Sequence, residues 1–324
     1  MRIAILGAGA TGGFLALALT EAGHDVTVLA RGPHLAAIRA QGLRVRDASG
    51  QDSRVDLRAT GDPAAIGPQD LLLSTLKAPA LPGVLGALAS GRLQGARLIT
   101  AMNGVFWWYG DGLAPGIPRP DTRRLDPDGR LASACAGTVP IGAVIHSTNQ
   151  VIAPGLVVNR STTNRLFIGA ARPEPLQSLG AALSCARVSF EPVADIRRQM
   201  WAKLLRNLSS APLSVLTGAT VRQINGDADL RGIARAVFLE GARVAAAHGH
   251  AGLGDDVDQV ISDGKGAEQR PSMRQDLDLG RPMELETLLR IVLDFARQAT
   301  VPVPVLETLV PLVVGKARLA GCTV

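Results

Sequence analysis

The N-terminal segment holds the feature that most restricts the fold. A buried-strand pattern, RIAIL, runs into a glycine turn and then into an apolar helical pattern, with Gly7, Gly9 and Gly12 forming G-x-G-x-x-G. This context predicts a dinucleotide-binding βαβ unit: the first glycine makes the tight turn, the second lets the backbone approach a pyrophosphate, and the third permits close helix packing. The N–H groups that open the helix, at Ala10 and Thr11, are expected to bind the phosphates. The alternative is a glycine-rich turn without a ligand.

The residue after the second strand pattern, DVTVLA, indicates which dinucleotide binds. NAD-binding units usually place Asp or Glu here, because a carboxylate accepts hydrogen bonds from the ribose hydroxyls. This chain has Arg31 instead. A guanidinium cannot accept those bonds, but it pairs well with a 2′-phosphate. The sequence therefore predicts NADPH rather than NADH as the cofactor.

The order of apolar patterns predicts an α/β fold. Short apolar runs alternate with helical patterns in the first half of the chain, which is typical of parallel βαβ units with helices on both faces of a sheet. Residues 134–171 contain β-rich runs without intervening helices and predict an antiparallel edge. We therefore predict a Rossmann-type, doubly wound NADPH-binding domain at residues 1–193 and an all-helical domain at residues 194–324. Residues 107–131, rich in Pro, Gly and Asp, predict a long loop.

Composition excludes several classes of function. The formal charge of +6 comes mostly from scattered arginines, which argues against a nucleic-acid groove and fits small anionic ligands. Three cysteines far apart in sequence predict no disulfide framework and no metal site, and they suggest a reducing cytoplasm. The apolar stretch 301–314 is interrupted by three prolines and a glutamate, so no membrane span is predicted there. His248 and His250 lie in the loop-like AHGHAGLG and are expected to be solvated.

Two polar residues follow further strands of the predicted sheet. Lys77 comes after DLLLST, and Asn103 comes after RLITAM. In a doubly wound fold, ligands bind at the carboxyl ends of the strands, so both residues are candidate binding residues. The alternative is that they are ordinary loop residues.

Two charged residues in the helical half lie on apolar faces. In WAKLLRNLSSAP, Lys203 and Asn207 are one helical turn apart on the face that also carries apolar residues. On the helical pattern from residue 283 to 299, Glu284 lies in line with the apolar stripe, whereas Glu286 and Arg290 form a solvated pair four residues apart. Because an unpaired buried charge is costly, Lys203 and Glu284 should meet a partner or line a cavity. Snorkelling at a helix end is the alternative.

Together these motifs match a known family. G-x-G-x-x-G, Arg31, TLKA, NG, W-x-K-L-x-x-N, S-M-x-Q-D and Glu284 occur in this order at suitable spacings. The chain resembles ketopantoate reductase (2-dehydropantoate 2-reductase) over essentially its whole length. The resemblance implies a Rossmann domain and a helical domain with the active site in the cleft between them, and NADPH-dependent reduction of ketopantoate to pantoate in pantothenate biosynthesis. It also implies that Arg31 and Lys77 hold the adenosine phosphate end of NADPH.

The resemblance assigns roles to the remaining candidates. Lys203 would be the general acid, and Asn103 and Asn207 would orient the substrate and the cofactor amide. Ser272 would hold the substrate carboxylate, and Glu284 would hold its hydroxyl. This agrees with the chemistry of the residues, because hydride delivery to a ketone develops alkoxide charge that a nearby ammonium can neutralise and protonate.

One position departs from the family pattern. The family helix usually carries a second asparagine just before a proline, and this chain has Ala211 ahead of Pro212. Ser209 or Ser210 is a candidate replacement for the missing polar group. The departure leaves the preferred 2-keto acid open, so a reductase of a different 2-keto or 3-keto acid is the first alternative. A non-catalytic NADPH-binding sensor and a 3-hydroxyacid dehydrogenase are the others.

The stretch NGVFWWYG allows three interpretations. Trp107 and Trp108, which precede Tyr109, could narrow the pocket, cover a subunit interface or anchor the loop. The sequence also leaves open whether the protein is a monomer or a homodimer, and whether a cleft closes on the cofactor.

Overall fold

A computed structural model describes residues 1–88, 95–263, 268 and 270–323 of the chain. The chain forms two compact units: Met1–Met102 with Asp128–Ile196, and Asn103–Pro127 with Arg197–Val324. We call these the sheet unit and the helical unit. The domain division expected from the sequence, 1–193 and 194–324, stays a prediction. The compact units differ from it in residues 103–127 and in residues 194–196, which belong to the sheet unit. Residues 103–127 belong with the helices from residue 197 onward, although three of the eight strands of the main sheet come between them in sequence.

The sheet unit contains twelve strands and five α-helices within the described residues. They are β1 (Arg2–Leu6), α1 (Ala10–Glu21), β2 (Asp25–Leu29), α2 (Gly32–Gln41), β3 (Leu43–Arg46), β4 (Asp52–Val55), β5 (Arg58–Thr60), β6 (Leu71–Ser74), α3 (Leu81–Ala87), β7 (Arg97–Ala101), α4 (Arg130–Ala134), β8 (Ile141–His146), β9 (Asn149–Ala153), β10 (Leu156–Asn159), β11 (Arg165–Ala170), α5 (Gln177–Leu183) and β12 (Ser189–Pro192).

Eight strands form one sheet in the order β12-β11-β8-β7-β6-β1-β2-β5. Neighbours from β8 to β5 run parallel, with Ile3 of β1 opposite both Val26 of β2 and Leu71 of β6. β11 is antiparallel to β8, and β12 is parallel to β11. The doubly wound sheet with an antiparallel edge is thereby confirmed. β1 lies between β2 and β6, so the order in which the strands are added reverses at β1. In such folds the ligand crevice lies at this reversal, outside the carboxyl end of β1.

A second sheet explains why α1 is apolar on every side. Its order is β4-β3-β10-β9, and it takes two of the strands that the sequence placed at the edge of the main sheet. Residues Gly12 to Leu19 of α1 are all buried, because the helix is covered by the main sheet on one side and by this sheet on the other. At Gly13, a Cβ atom would lie 2.8 Å from Val157 of β10. Glycine therefore permits the close approach of helix and second sheet.

The helical unit contains seven α-helices within its described residues. They are α6 (Ile196–Thr217), which begins at the last residue of the sheet unit, α7 (Val221–Gly226), α8 (Ala228–Ala247), α9 (Val257–Asp263), α10 (Ser272–Asp278), α11 (Ile291–Gln298) and α12 (Pro304–Leu319). A π-helical turn, Glu286–Arg290, leads directly into α11. No helix in the described part of the chain has the length and apolar character that crossing a membrane requires.

Candidate active site

The three motif glycines have three different surroundings. Gly7 has a φ of +97°, the left-handed region that favours glycine, where the chain turns out of β1. A Cβ on Gly12 would lie 2.0 Å from the carbonyl oxygen of Gly7, so only glycine lets α1 pack this closely on the strand end. A Cβ on Gly9 would meet nothing within 4 Å. The open side of the loop is therefore at Gly9, where a pyrophosphate would approach the backbone.

Thr75 fastens this loop to the neighbouring strand. Its hydroxyl donates to the carbonyl oxygen of Gly7 at 2.6 Å, and its N–H donates to Leu6 O at 3.0 Å. The sequence predictions missed Thr75, although it lies within the TLKA motif. Its position directly after a buried strand is the signal that would have found it.

The start of α1 has the geometry of an anion site. The first hydrogen bond within the helix runs from the N–H of Gly13 to Gly9 O at 2.8 Å. The N–H groups of Ala10, Thr11 and Gly12 therefore have no partner within the helix, and they carry the positive end of its dipole. Ala8 is different, because its N–H donates to Leu29 O at 2.9 Å.

Arg31 and Lys77 both follow strands that neighbour β1. Arg31 is exposed and precedes α2, two residues after β2 ends. Lys77 is half-buried, three residues after β6 ends, at the start of a short 3₁₀ turn. Both therefore lie at the carboxyl edge of the parallel strands, as predicted.

Helix α6 presents Lys203 and Asn207 on one side. The helix buries Met200, Leu204 and Leu208, which are spaced four residues apart, and it leaves residue 206 exposed. Lys203 and Asn207 are half-buried between these two sides. Their shared face is thus the margin of the buried stripe, where a polar group can approach a ligand while its stem stays packed.

The ammonium of Lys203 is the desolvated part of this side chain. Burial lowers the pKa of Lys203 to about 8, from the ordinary value of 10.5, because a charged group is disfavoured away from water. The carboxylate of Glu284 opposes part of this lowering. Lys203 and Glu284 are therefore close enough to interact electrostatically, and both side chains are half-buried.

Asn103 completes a polar cluster with Lys203 and Glu284, which we call the Lys203 cluster. Its Nδ2 donates to Oε2 of Glu284 at 3.2 Å, across 181 residues of sequence. The cluster thus combines an ammonium with a lowered pKa, a carboxylate and an amide, all within the helical unit.

A backbone contact fixes Asn103 against Glu284. Gly104 has a φ of +82°, and a Cβ there would lie 2.1 Å from the carbonyl oxygen of Thr287. The N–H of Val105 donates to the same oxygen at 2.9 Å. The chain after Asn103 therefore lies directly on the π-helical turn that follows Glu284.

This π-helical turn was not predicted. The sequence pattern predicts a helix from 283 to 299, but residues 286–290 form a π-helical turn. Such turns are rare, and those that occur are often at functional sites. The predicted pair is confirmed, with Arg290 Nη1 3.2 Å from Glu286 Oε1. Arg124 also joins it, donating to Glu286 at 2.9 Å and pairing with Asp294.

Ser272 and the serines near Ala211 lie elsewhere. Ser272 is exposed at the first turn of α10, outside the Lys203 cluster. Ala211 is buried, and α6 continues through Pro212. The hydroxyls of Ser209 and Ser210 both donate to Arg206 O, at 2.9 and 3.0 Å. Each hydroxyl hydrogen is therefore used on the helix backbone.

The aromatic stretch anchors residues 103–127 to the helices. The indole N–H of Trp201 donates to the Tyr109 hydroxyl at 2.8 Å, and both rings are fully buried. The guanidinium of Arg197 donates to Tyr109 O at 2.9 Å and lies 5.3 Å from the centre of the Trp108 ring. Trp107 is buried as well.

The expectation that His248 and His250 are solvated is wrong. Both are buried, with 1% and 5% of their surface exposed. Each ring packs edge-on against Tyr109, at centroid distances of 6.5 and 6.4 Å, and His248 Nε2 lies 3.3 Å from Phe295 O. No local pattern indicates this burial, because the covering residue, Tyr109, lies 139 positions before His248 along the chain.

Two family models match this chain. The model described as "Ketopantoate reductase PanE/ApbA" matches residues 3–106, and "Ketopantoate reductase PanE/ApbA C terminal" matches residues 195–317. The chain belongs to the ketopantoate reductase family. The family predicted from the motifs is thus confirmed. Asn103 lies within the range of the first model, and Lys203 and Glu284 lie within the range of the second.

Individual family members resemble the chain along its full length. A 2-dehydropantoate 2-reductase of Mesorhizobium japonicum is 34% identical, over 99% of this chain and 99% of that protein. A solved structure from Ralstonia solanacearum MolK2 is also 34% identical, with a TM-score of 0.86 over 99% of this chain and 98% of that one. A PanE/ApbA family ketopantoate reductase from Ralstonia eutropha JMP134 is 27% identical, with a TM-score of 0.83 over 99% of each chain.

Proposed function

We propose that this protein reduces ketopantoate (2-dehydropantoate) to pantoate with NADPH, as an NADP-dependent oxidoreductase of pantothenate biosynthesis. The family membership supports the reaction and the cofactor. The observation that carries the chemistry is the Lys203 cluster, because it offers a proton donor beside a carboxylate and an amide.

The residues of the glycine loop fit the cofactor. The open position at Gly9, the free N–H groups at Ala10 and Thr11, and the exposed guanidinium of Arg31 suit a pyrophosphate and a 2′-phosphate. When bound, NADPH supplies the hydride that reduces the keto carbon of the substrate.

The Lys203 cluster supplies the proton. As the C2 oxygen of the keto acid gains negative charge, the Lys203 ammonium stabilises it and transfers a proton from Nζ to it. Glu284 accepts a hydrogen bond from the resulting hydroxyl and, by its charge, favours the protonated form of Lys203. The resemblance to the family assigns Asn103 and Asn207 to orient the substrate and the cofactor amide, and it assigns Ser272, which is not part of the Lys203 cluster, to the substrate carboxylate.

Steady-state kinetics with ketopantoate and NADPH, followed by the loss of NADPH absorbance, test this function. We expect ketopantoate to give the highest kcat/KM in a panel of 2-keto and 3-keto acids of similar size. If a different acid gave a clearly higher kcat/KM, that acid would be the substrate, and the proposed reaction chemistry would be unchanged. A failure of every keto acid to oxidise NADPH would contradict the enzyme function and favour the sensor.

Arg31 is expected to determine the preference for NADPH. Arg31→Ala removes the charge that pairs with the 2′-phosphate, so the KM for NADPH should rise about 10- to 100-fold. The KM for NADH should change little, because NADH has no 2′-phosphate. Arg39→Ala is the control, because Arg39 lies in the last turn of α2, the helix that Arg31 precedes. Equal effects of Arg31→Ala on both cofactors would contradict the role.

The reaction should lose rate as the pH rises through the pKa of Lys203. A general acid acts in its protonated form, so kcat/KM for ketopantoate is expected to be high below pH about 8 and to fall above it. Glu284→Gln removes the charge that raises this pKa, and the falling limb should therefore move to lower pH. A flat profile between pH 7 and 9, measured at saturating NADPH, would contradict the assignment.

Location and assembly stay predictions. None of the three cysteines, all of them within the described residues, forms a disulfide, which suits a reducing cytoplasm. A homodimer and a monomer remain the two alternatives, and sedimentation of the purified protein distinguishes them. A different keto acid stays the alternative substrate, because Ala211 gives α6 no polar side chain at the position where the family usually has asparagine.

A further inference from the structure

Arg124 joins the first residue of the π-helical turn to the helix that follows the turn. Its Nη1 donates to Oε2 of Glu286 at 2.9 Å. Its Nε and Nη2 both donate to the carboxylate of Asp294 in the first turn of α11, and the bond from Nη2 to Oδ1 is 3.1 Å long. All three residues are half-buried, so salt screens these ion pairs less than exposed ones. One guanidinium therefore spans the turn.

The π-helical turn is what brings the two carboxylates to one side of the helix. In a regular α-helix each residue advances by about 100°, so side chains eight positions apart point about 80° away from each other. A π turn contains one more residue, because its hydrogen bonds join residues five apart instead of four. The spacing from Glu286 to Asp294 then covers close to two full turns, and both carboxylates reach the same guanidinium. Arg124 therefore favours the π-helical form of this segment over a regular helix.

The backbone around Arg124 is fixed independently of its side chain. The N–H of Leu125 donates to Thr122 O at 2.8 Å and closes a turn, and Leu125 itself is buried. The N–H of Asp121 donates to Oε1 of Gln298, the last residue of α11, at 2.9 Å. The segment that carries Arg124 is therefore attached to the same helix a second time.

The π-helical turn also contacts the chain that carries Asn103. Glu284 lies two residues before Glu286, and its Oε2 accepts a hydrogen bond from Asn103 Nδ2 at 3.2 Å. The N–H of Val105 donates to the carbonyl oxygen of Thr287, within the turn, at 2.9 Å. A change of the turn into a regular helix would therefore move this oxygen and, with it, the chain next to Val105.

We infer that Arg124 is a positioning residue of the proposed reaction, which holds the π-helical turn in the form that the Lys203 cluster requires. The bridge to Glu286 and Asp294 keeps the turn π-helical, and the turn keeps the Asn103 amide on its carboxylate partner. This role rests on the proposed function, because the cluster is the proton donor of that reaction.

Arg124→Met tests the inference, because methionine keeps an unbranched apolar stem and removes the guanidinium. We expect kcat for the keto acid to fall about 10-fold, since a displacement of about 1 Å can cost about 10²-fold and this variant loses only the bridge. The Kd and the KM for NADPH should stay unchanged, because the proposed phosphate-binding residues belong to the sheet unit. Arg124→Lys keeps the charge and should recover part of the rate, although a lysine lacks the planar fork that reaches both carboxylates.

Arg119→Met is the matched control. Arg119 lies in the same segment, and its Nη2 donates to Oδ1 of Asp111 at 2.8 Å, so its ion pair is made within the segment itself. Its kcat should equal that of the wild type. All rates are measured well below the melting temperature of each variant, so that unfolding does not lower kcat.

Hydrogen exchange measures the step between Arg124 and the Lys203 cluster. Peptides that contain Val105 should exchange faster in Arg124→Met than in the wild type, whereas peptides that cover α8 should not change. If Arg124→Met does not fold, Glu286→Gln replaces it, because it weakens the bridge without changing the shape of the side chain. We expect the same exchange pattern there, with a fall in kcat of about 3-fold.

The outcomes separate this inference from the proposed function. Wild-type protein that reduces no keto acid contradicts the function, whatever the variants do. Active wild-type protein with an unchanged kcat in Arg124→Met overturns the role of Arg124. A lower kcat with unchanged exchange at Val105 also overturns it, because the effect would not pass through the turn. An equal loss of kcat and of NADPH affinity overturns it as well, because that pattern indicates general damage to the fold.

Discussion

Replacing Lys203 with alanine is expected to reduce kcat by about 10²- to 10⁴-fold, the usual contribution of a positioned proton donor. The affinity for NADPH should remain roughly unchanged, because the proposed phosphate-binding residues belong to the sheet unit. The physical reason is the pKa: an ammonium whose pKa is lowered to about 8 gives up its proton more readily than an ordinary lysine, yet it is still charged at neutral pH. Stopped-flow measurement of NADPH oxidation separates the hydride step from product release.

Two further lysine variants make this test specific. Lys203→Arg keeps a positive charge, but a guanidinium rarely releases its proton, so kcat should stay low. Lys316→Ala removes a lysine of the same unit whose Nζ donates to Leu216 O at 3.1 Å, and it should retain normal turnover. Near-normal turnover in Lys203→Ala would leave the reaction without its assigned proton donor and would contradict the mechanism.

The glycine loop could be predicted from the sequence in detail. Gly7 has a positive φ, Gly9 leaves open space, and Gly12 allows close packing. Each of these properties depends on residues that are near in sequence or on the adjacent strand. Arg31 and Lys77 were placed correctly for a similar reason, because the carboxyl ends of parallel strands are fixed once the strands are known.

The sequence patterns did not show which distant segments of the chain pair with one another. Periodicity identifies a strand but not its partner, so it did not show that β9 and β10 join β3 and β4 in a second sheet. The burial of His248 under Tyr109 is of the same kind. The hydrogen bond from the N–H of Gly155 to His34 Nδ1 is a further example, because the two residues are 121 positions apart.

The Lys203 cluster could be predicted from the sequence only in part. The apolar faces around Lys203 and Glu284 predicted that each charge would meet a partner or line a cavity, and the structure brings the two residues close enough to interact. The contact of Asn103 with Glu284 depends on the π-helical turn and on residues 103–127 packing on the helices, and no local pattern indicates either.

Gly104→Ala is therefore expected to damage catalysis severely without touching a reacting group. The new Cβ would lie 2.1 Å from Thr287 O, and a left-handed backbone adds about 1–2 kcal/mol of strain for a residue other than glycine. The chain must move away from the π-helical turn, which takes Asn103 away from Glu284. A displacement on the order of 1 Å can cost about 10²-fold in rate, so kcat/KM for the keto acid should fall by about that factor. The melting temperature should fall as well.

Gly232→Ala is the matched control for this prediction. Gly232 lies within α8 of the same unit, and a Cβ there would meet nothing within 4 Å, so the change should be neutral or stabilise the helix by up to about 1 kcal/mol. NADPH affinity should stay normal in both variants, because neither residue belongs to the glycine loop. If Gly104→Ala retained both the wild-type kcat/KM and the wild-type melting temperature, the contact between residue 104 and Thr287 could not be what aligns Asn103 with Glu284. The alignment would then have to come from the side chains of the cluster alone.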